Sequence, residues 1–218
     1  MSHLHSPTLA VLALTLMFAV AAPLAQHTRL FRPEDLSELE GPDRDEWQQP
    51  GKIMDVLGIG DSSVVADLGA GSGWFTIKLA NRVGPNGLVY AEDIQRPMIQ
   101  AIKIRLDRLG LKNVVTVLGT ATNPALPKPV DAVLIVDAYH EMEHPVALLA
   151  NVATSLQPRA RIGIVDFRKD GGGPGPAMEE RVDPEAVIRD VQAAGFVLRS
   201  RETFLKYQYM LVFEKPRS

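Results

Sequence analysis

From residue 63 onward the chain alternates short apolar runs with longer amphipathic stretches. The apolar runs that predict strands are residues 64–67, 88–91, 114–118, 132–136 and 162–165. The amphipathic stretches that predict helices are residues 74–83, 97–109 and 146–156. Because the strand residues are mostly apolar, each strand is expected to be covered on both faces. The alternation therefore predicts a parallel α/β sheet.

The C-terminal part of the chain predicts one helix and two strands. Asp183 and Pro184 fit the N-cap and the first position of a helix that stops at Gly195. Strands are predicted at residues 197–202 and 207–214, and the short link between them favours an antiparallel pair. Residues 170–176 are too rich in glycine and proline for regular structure, so we expect a mobile lid or an edge loop there.

The N-terminal part of the chain predicts a leader and a small cap. Residues 9–22 are apolar, too short for a comfortable membrane span of ~20 residues but typical of a signal-peptide core. We expect residues 1–25 to be a signal peptide or membrane anchor, and the protein to be exported or membrane-anchored. A buried N-terminal helix or a wrong start site is the alternative. Residues 26–60 predict a helical cap with an Asp43–Glu46 capping box, and residues 61–218 the main domain.

Composition and charge exclude several classes of protein. The 218 residues include 23 Lys and Arg against 26 Asp and Glu, a formal net charge of -3, and no basic run. Duplex nucleic acid is therefore not expected as a partner, because its binding depends on clustered cations. The chain contains no cysteine, which excludes disulfides, thiolate zinc sites, thiol nucleophiles and iron–sulfur clusters. The chemistry must use oxygen, nitrogen or a cofactor.

A glycine-rich loop lies between the first predicted strand and the first predicted helix. It reads Asp67-Leu-Gly-Ala-Gly-Ser-Gly73, and glycine there lets the backbone approach a ligand closely. Trp74 stands where the dinucleotide fingerprint requires Gly or Ala, and the Gly-Lys-Ser/Thr of a P-loop is missing. The second strand ends in Glu92-Asp93, where a carboxylate can accept both hydroxyls of a ribose. The glycine-rich loop and the carboxylate at the end of the second strand together predict a ligand whose ribose has a free 2′-hydroxyl.

With these motifs the sequence resembles the class I S-adenosylmethionine-dependent methyltransferases, through residues 65–80, 87–94 and 151–166. The resemblance spans roughly residues 63–218. It implies an α/β, Rossmann-like three-layer αβα sandwich with a mostly parallel seven-stranded sheet and an antiparallel last strand. It also implies S-adenosylmethionine as the cofactor.

The resemblance assigns roles to individual residues. Asp67 and the Gly69–Gly71 backbone would hold the methionine end, Asp93 the ribose, and Ile94 the adenine. Thr120 stands where the family usually has an aspartate, which puts the contact to the adenine amino group in doubt. The predicted cofactor-binding residues are Asp67, Gly69, Ala70, Gly71, Asp93, Ile94, Thr120, Ala121 and Asp137.

The densest group of functional side chains follows the fourth predicted strand, at residues 137–145. His140 and Tyr139 are the predicted catalytic residues, because they can orient or deprotonate an acceptor. The alternative is that His140 caps the following helix and Tyr139 packs on the cofactor. In the cap, Trp47 and Arg44 could close over the site, or Trp47 could simply anchor a docked helix.

Two metal hypotheses involve the same segment. Residues 140–144 match the H-E-x-x-H pattern of zinc peptidases, but Pro145 places His144 outside a helix that would carry both histidines. Asp137 and Asp166 end neighbouring strands and could together bind Mg²⁺, although such carboxylates more often cap helices or accept hydrogen bonds. No metal is predicted.

The motifs together predict a methyltransferase that acts on a small-molecule or lipid-like acceptor at O, N or C by in-line displacement. The alternatives are a non-catalytic binding module on the same fold and a zinc hydrolase. The sequence leaves the acceptor and the oligomeric state open.

Overall fold

The computed structural model describes residues 30–32, 34–35 and 40–216. In this part of the chain, seven strands form one sheet in the order β3-β2-β1-β4-β5-β7-β6. The strands are β1 (Val64–Leu68), β2 (Leu88–Asp93), β3 (Val114–Leu118), β4 (Val130–Val136), β5 (Leu156–Phe167), β6 (Val197–Glu202) and β7 (Gln208–Glu214). Strands β1 to β5 are parallel, and β7 is antiparallel to both of its neighbours, β5 and β6. The predicted fold class is confirmed.

Helices cover both faces of the sheet. They are α1 (Arg44–Gln48), α2 (Pro50–Leu57), α3 (Trp74–Val83), α4 (Arg96–Leu109), α5 (Pro145–Thr154) and α6 (Pro184–Ala193), with a 3₁₀ helix at Tyr139–Glu141. Alternate residues of a strand point to opposite faces, so Val65 packs with α2 and α3, whereas Ala66 packs in the core of α5 and α6. Helix α4 covers Ala91 with Ile102 and Leu106. The layers leave the carboxyl ends of the parallel strands open for a site.

Strand β5 is the element that differs most from its prediction. It spans Leu156–Phe167, whereas the apolar run indicates only residues 162–165. Its first half carries exposed Gln157, Pro158 and Arg159, and its pairing with β4 shifts register between Val130 and Ala132. A proline is tolerated at such an irregularity because no ladder hydrogen bond from its nitrogen is required. The first half of β5 therefore lacks the apolar run from which a strand is predicted.

Two predicted helix caps have different outcomes. Asp183 caps α6, since its side chain accepts a hydrogen bond from the Glu185 N–H at 2.8 Å. The capping box predicted for Asp43 and Glu46 is wrong. Asp43 precedes α1 with φ -97° and ψ 6°, and its side chain makes no capping hydrogen bond with the described residues. A capping hydrogen bond to the side chain of an N-cap residue normally requires that this residue has an extended backbone conformation.

The glycine- and proline-rich loop at residues 170–176 is tied down rather than open. Arg181 is buried, and its guanidinium donates hydrogen bonds to the carbonyl oxygens of Arg168, Gly172, Pro174 and Pro176. This bracing fits the edge-loop alternative. The expected leader, residues 1–25, lies outside the described residues. Within the described residues, no helix is long and apolar enough to cross a membrane.

Candidate active site

A cavity opens at the carboxyl ends of β1, β2 and β4, beneath the segment that precedes α1. All of the predicted cofactor-binding residues line it, namely Asp67, Gly69, Ala70, Gly71, Asp93, Ile94, Thr120, Ala121 and Asp137. Further lining residues are Ser72, Glu92, Met98, Ala138, Glu141 and Arg44. The topology of the sheet therefore brings together residues that are far apart in the sequence, such as Asp67 and Asp137.

The glycine loop has the backbone that a close ligand approach requires. Gly69 has a φ of +71°, and a Cβ at this position would lie 2.6 Å from the Cβ of Ala138, which also lines the cavity. The Ala70 N–H donates to the Glu92 carbonyl oxygen at 2.9 Å, which attaches the loop to the end of β2. A side chain at residue 69 would strain this turn and collide with Ala138.

Asp93 and Asp67 are both engaged by neighbouring donors. Asp93 accepts hydrogen bonds from the N–H groups of Gly71 at 3.0 Å and Gln95 at 2.8 Å. Burial raises the pKa of Asp93, and these backbone donors oppose the rise. Burial also raises the pKa of Asp67 to about 6, against the hydrogen bond that it accepts from the Thr76 hydroxyl at 2.6 Å. Both carboxyl groups are thus held in fixed positions on the cavity wall.

Asp137 is the centre of a buried polar network that joins the cap to the sheet. Its φ of 55° is in the left-handed region, and its carboxylate forms an ion pair with Arg44 at 2.8 Å. It also accepts hydrogen bonds from the side-chain amides of Gln48 and Gln208. Burial raises the pKa of Asp137 to about 6, although the charge of Arg44 lowers it. This network fixes α1 over the cavity.

Two acidic residues of the cavity are absent from the predicted cofactor-binding and catalytic residues of the methyltransferase, although Glu141 belongs to the H-E-x-x-H pattern. Burial and the charge of Asp93 raise the pKa of Glu92 to about 8. Glu141 accepts a hydrogen bond from the Phe31 N–H at 2.7 Å, and burial raises its pKa to about 7. The available signal for Glu92 was its position beside Asp93 at the end of an apolar strand.

A second cavity adjoins the first. The two share a wall that consists of Leu30, Phe31, Arg44, Asp137 and Glu141. The second cavity is also lined by His140, Trp47 and Phe167, and the rings of the last two lie 5.9 Å apart. Trp47 therefore both anchors α1 on the sheet edge and forms part of a cavity wall.

His140 lies on this second cavity and is oriented by Asp166. Its Nδ1 is 3.0 Å from both carboxylate oxygens of Asp166, and its backbone N–H also donates to Asp166 at 3.0 Å. Burial favours a lower pKa for His140, but the hydrogen bond and charge of Asp166, with the charge of Glu141, raise the pKa overall. With Nδ1 facing a carboxylate, Nδ1 carries the proton and Nε2 can accept one. The His140 side chain therefore contacts Asp166 and does not cap α5.

Tyr139 is not placed where it could act on an acceptor. Its side chain is buried in the core formed with α5 and α6, outside the lining of both cavities. Its hydroxyl donates a hydrogen bond to Asp190 at 3.0 Å. The structure therefore corrects the prediction that Tyr139 is catalytic or packs on the cofactor. The 3₁₀ helix turns neighbouring side chains to different sides, and this turn is not readable from spacing alone.

The segment 140–144 does not form a zinc-peptidase helix. His140 belongs to the 3₁₀ helix, and His144 lies before α5 with φ -130° and ψ 57°. Asp137 and Asp166, considered as a Mg²⁺ pair, are engaged by Arg44 and His140, respectively. Within the described ranges, no group of three or more His, Cys, Asp or Glu residues could hold a metal ion.

Comparison with known proteins agrees with this geometry. A family model described as a methyltransferase domain matches residues 59–200. The chain belongs to the class I S-adenosylmethionine-dependent methyltransferases. A solved methyltransferase of this type from Aquifex aeolicus has a TM-score of 0.79 and 28% identity, and the match covers 84% of this chain and 98% of that one.

Two curated relatives extend the comparison. Nocamycin O-methyltransferase from Saccharothrix syringae is 30% identical over 130 residues, which are 59% of this chain and 45% of the relative. The ubiquinone/menaquinone biosynthesis C-methyltransferase UbiE from Pseudomonas savastanoi is 30% identical over 118 residues, which are 53% of this chain and 46% of the relative. The chain therefore spans about half the length of these relatives.

The first cavity fits S-adenosylmethionine, the cofactor of this family. The absence of a Cβ at Gly69 lets the glycine loop pack closely against Ala138 on the cavity wall. Asp67 and Asp137 would offer carboxylates to the positive charges of the methionine end, and Arg44, which pairs with Asp137, would offer a cation to its carboxylate. Glu92 has a buried carboxyl oxygen, Oε1, without a hydrogen-bond partner among the described residues. Such an atom on a cavity wall indicates a polar ligand.

Proposed function

We propose that this protein transfers a methyl group from S-adenosylmethionine to a small-molecule or lipid-like acceptor in the second cavity, at O, N or C. The observation that carries the proposal is the His140–Asp166 pair on the wall of a cavity that adjoins the cofactor cavity. The proposal is supported by the shared wall of Arg44, Asp137 and Glu141, since an acceptor in the second cavity would lie next to the methyl donor. Such adjacency is what an in-line transfer requires.

His140 serves as the general base of this transfer. S-adenosylmethionine supplies a methyl group already activated on a sulfonium, so no covalent intermediate with the protein is needed. The Nε2 atom of His140 takes the proton that the acceptor loses, while Asp166 holds the ring and stabilises the imidazolium that forms. Glu141 lies 3.8 Å from Nε2, and its carboxyl group, when ionised, adds a second negative charge beside it.

The charge of the second cavity selects the acceptor. Among its described lining residues, the arginines Arg32 and Arg44 face five carboxyl residues, namely Asp35, Asp43, Asp137, Glu141 and Glu180. This excess of acidic groups disfavours an anionic acceptor such as a carboxylate or phosphate. The aromatic rings of Trp47 and Phe167 provide apolar surface for the body of the molecule. The acceptor is therefore an uncharged or cationic compound with an apolar portion.

The test is a methyl-transfer assay with the full chain, labelled S-adenosylmethionine and a panel of anionic, neutral and cationic acceptors. With an acceptor that supports turnover, His140→Gln should reduce kcat by about 100-fold or more, the usual contribution of a general base. Its affinity for S-adenosylhomocysteine should remain within about two-fold of wild type, since His140 lies outside the first cavity. His144→Gln is the matched control, because this exposed histidine lies on the same segment. Wild-type turnover in His140→Gln would contradict the proposed role.

We also propose that residues 1–25 carry the protein to a membrane, as a signal peptide or an anchor. The proposal is supported by the apolar run at residues 9–22. Fractionation of cells that express the full chain, beside a variant that starts at Gln26, tests it. Equal distribution of both proteins between membrane, exported and cytosolic fractions would contradict it.

A further inference from the structure

Glu92 has a carboxyl group that the protein itself satisfies only in part. The residue is the last but one of β2 and is 3% exposed. Its Oε2 accepts a long hydrogen bond of 3.4 Å from the Gly69 N–H. Its Oε1 is buried and has no hydrogen-bond partner among the described residues. Burying a polar atom without a hydrogen-bond partner costs free energy. A buried polar atom without a partner beside a ligand cavity therefore indicates a hydrogen bond to a ligand atom.

The position of Glu92 within the cavity indicates which part of the cofactor it meets. The sheet order places the ends of β3 and β2 on one side of the cavity and the ends of β1 and β4 on the other. Arg44 and Asp137 stand at the β4 side, where the charged methionine end fits. Glu92 Oε1 occupies the space that a side chain at Gly119, directly after β3, would need. Glu92 therefore belongs to the opposite, β2–β3 side.

Apart from Glu92, that side of the cavity carries Asp93, whose carboxylate accepts the Gly71 and Gln95 N–H groups, and several apolar residues. Ile94, Met98 and Ala121 line it, and they suit the flat and uncharged adenine ring. Thr120 also lies there, but its hydroxyl accepts a hydrogen bond from the Asn123 N–H at 3.1 Å within its own turn. The carboxyl of Glu92 is thus the polar group at this side that still lacks a partner among the described residues.

We propose that Glu92 Oε1 accepts a hydrogen bond from the 6-amino group of the cofactor's adenine. The inference rests on the binding of S-adenosylmethionine and needs no assumption about the acceptor. A carboxyl oxygen has a free lone pair in both protonation states, so the bond can form with either. Burial and the charge of Asp93 raise the pKa of Glu92 to about 8. The carboxyl group is therefore uncharged at lower pH, which avoids an unpaired charge beside the neutral ring.

The test is isothermal titration of the full chain with S-adenosylhomocysteine and with the analogue that carries purine in place of adenine. The two ligands differ only in the 6-amino group. Wild type should bind the purine analogue about ten-fold more weakly, as the loss of one buried hydrogen bond predicts. In Glu92→Met, whose side chain accepts no comparable bond, the two ligands should bind within about two-fold of each other. Asp93→Ala is the control, because it should weaken both ligands and keep the preference.

Thermal melts of each variant establish that it is folded, and Glu92→Ala repeats the measurement with a smaller side chain if Glu92→Met is not. Two results would overturn the assignment. The first is a wild-type protein that binds both ligands equally. The second is a folded Glu92 variant that keeps the preference for adenine. A failure of the proposed methyl transfer is distinguishable, because it would leave these binding ratios unchanged.

Discussion

Replacing Glu92 by glutamine should change how the stability of the protein depends on pH. In the unfolded chain a glutamate ionises near its ordinary pKa of 4.5, whereas burial and the charge of Asp93 raise the pKa of Glu92 to about 8 in the folded protein. Between these values the folded state binds one more proton than the unfolded state. Raising the pH therefore favours unfolding by about 1.4 kcal/mol per pH unit. From about pH 5.5 to about pH 7.5 this amounts to roughly 3 kcal/mol.

Urea titrations of wild type and Glu92→Gln at a series of pH values measure this effect. The free energy of unfolding of wild type should fall across the series, since Asp67, Asp137 and Glu141 also have raised pKa values. These groups are present in both proteins, so the difference between the two curves isolates Glu92. That difference should move in favour of the glutamine variant by roughly 3 kcal/mol between about pH 5.5 and about pH 7.5. Equal m-values in the two proteins are the control for unchanged unfolding behaviour.

A difference between the two proteins that stays constant with pH would refute the reasoning. It would mean that Glu92 ionises at the same pH in the folded and the unfolded chain. The carboxyl would then be solvated or paired, in contradiction to the buried Oε1. A difference that moves in the opposite direction would mean that a cation stabilises the ionised group.

Four further results are expected. Gly69→Ala should lower the free energy of unfolding by roughly 1–3 kcal/mol in urea titrations and abolish S-adenosylhomocysteine binding, because of its φ of +71° and the neighbouring Cβ. Tyr139→Phe should cost about 1 kcal/mol of stability and leave kcat unchanged, since its hydroxyl serves only the α6 contact among the described residues. Asp93→Ala should weaken S-adenosylhomocysteine about ten-fold or more in calorimetry. Asp166→Asn should move the acidic limb of the pH–rate profile to lower pH, because losing the carboxylate lowers the pKa of His140 and leaves the base neutral at lower pH. If the acidic limb does not move, Asp166 does not influence the pKa of the catalytic base.

The fold was predictable because its signals are local. Strands β3 and β6 and helix α3 have the bounds that the apolar periodicity indicates. The Asp183–Pro184 start of α6 was readable for the same reason, since a cap involves residues two or three positions apart. Where a bulge and a proline interrupt β5, the local pattern indicates less than half of the strand.

The cofactor side of the site was also predictable, because a glycine loop and a strand-end carboxylate have a set order along the chain. On the side proposed for the acceptor, His140 was predicted, but its contact with Asp166 was not. His140 and Asp166 lie 26 positions apart and meet because β4 and β5 are neighbours in the sheet. The 3₁₀ helix then directs Tyr139 into the core and His140 toward the cavity.

By itself the sequence determined the α/β class, the order of the elements and the loop that faces the cofactor, since each depends on contacts between nearby residues. The tertiary structure decided which side chains share a buried environment. Only the packed sheet places Glu92 beneath Gly119, and only the docked cap brings Arg44 to Asp137. The free energy of burying a carboxyl group depends on every element that packs against it, and that information is not local in the chain.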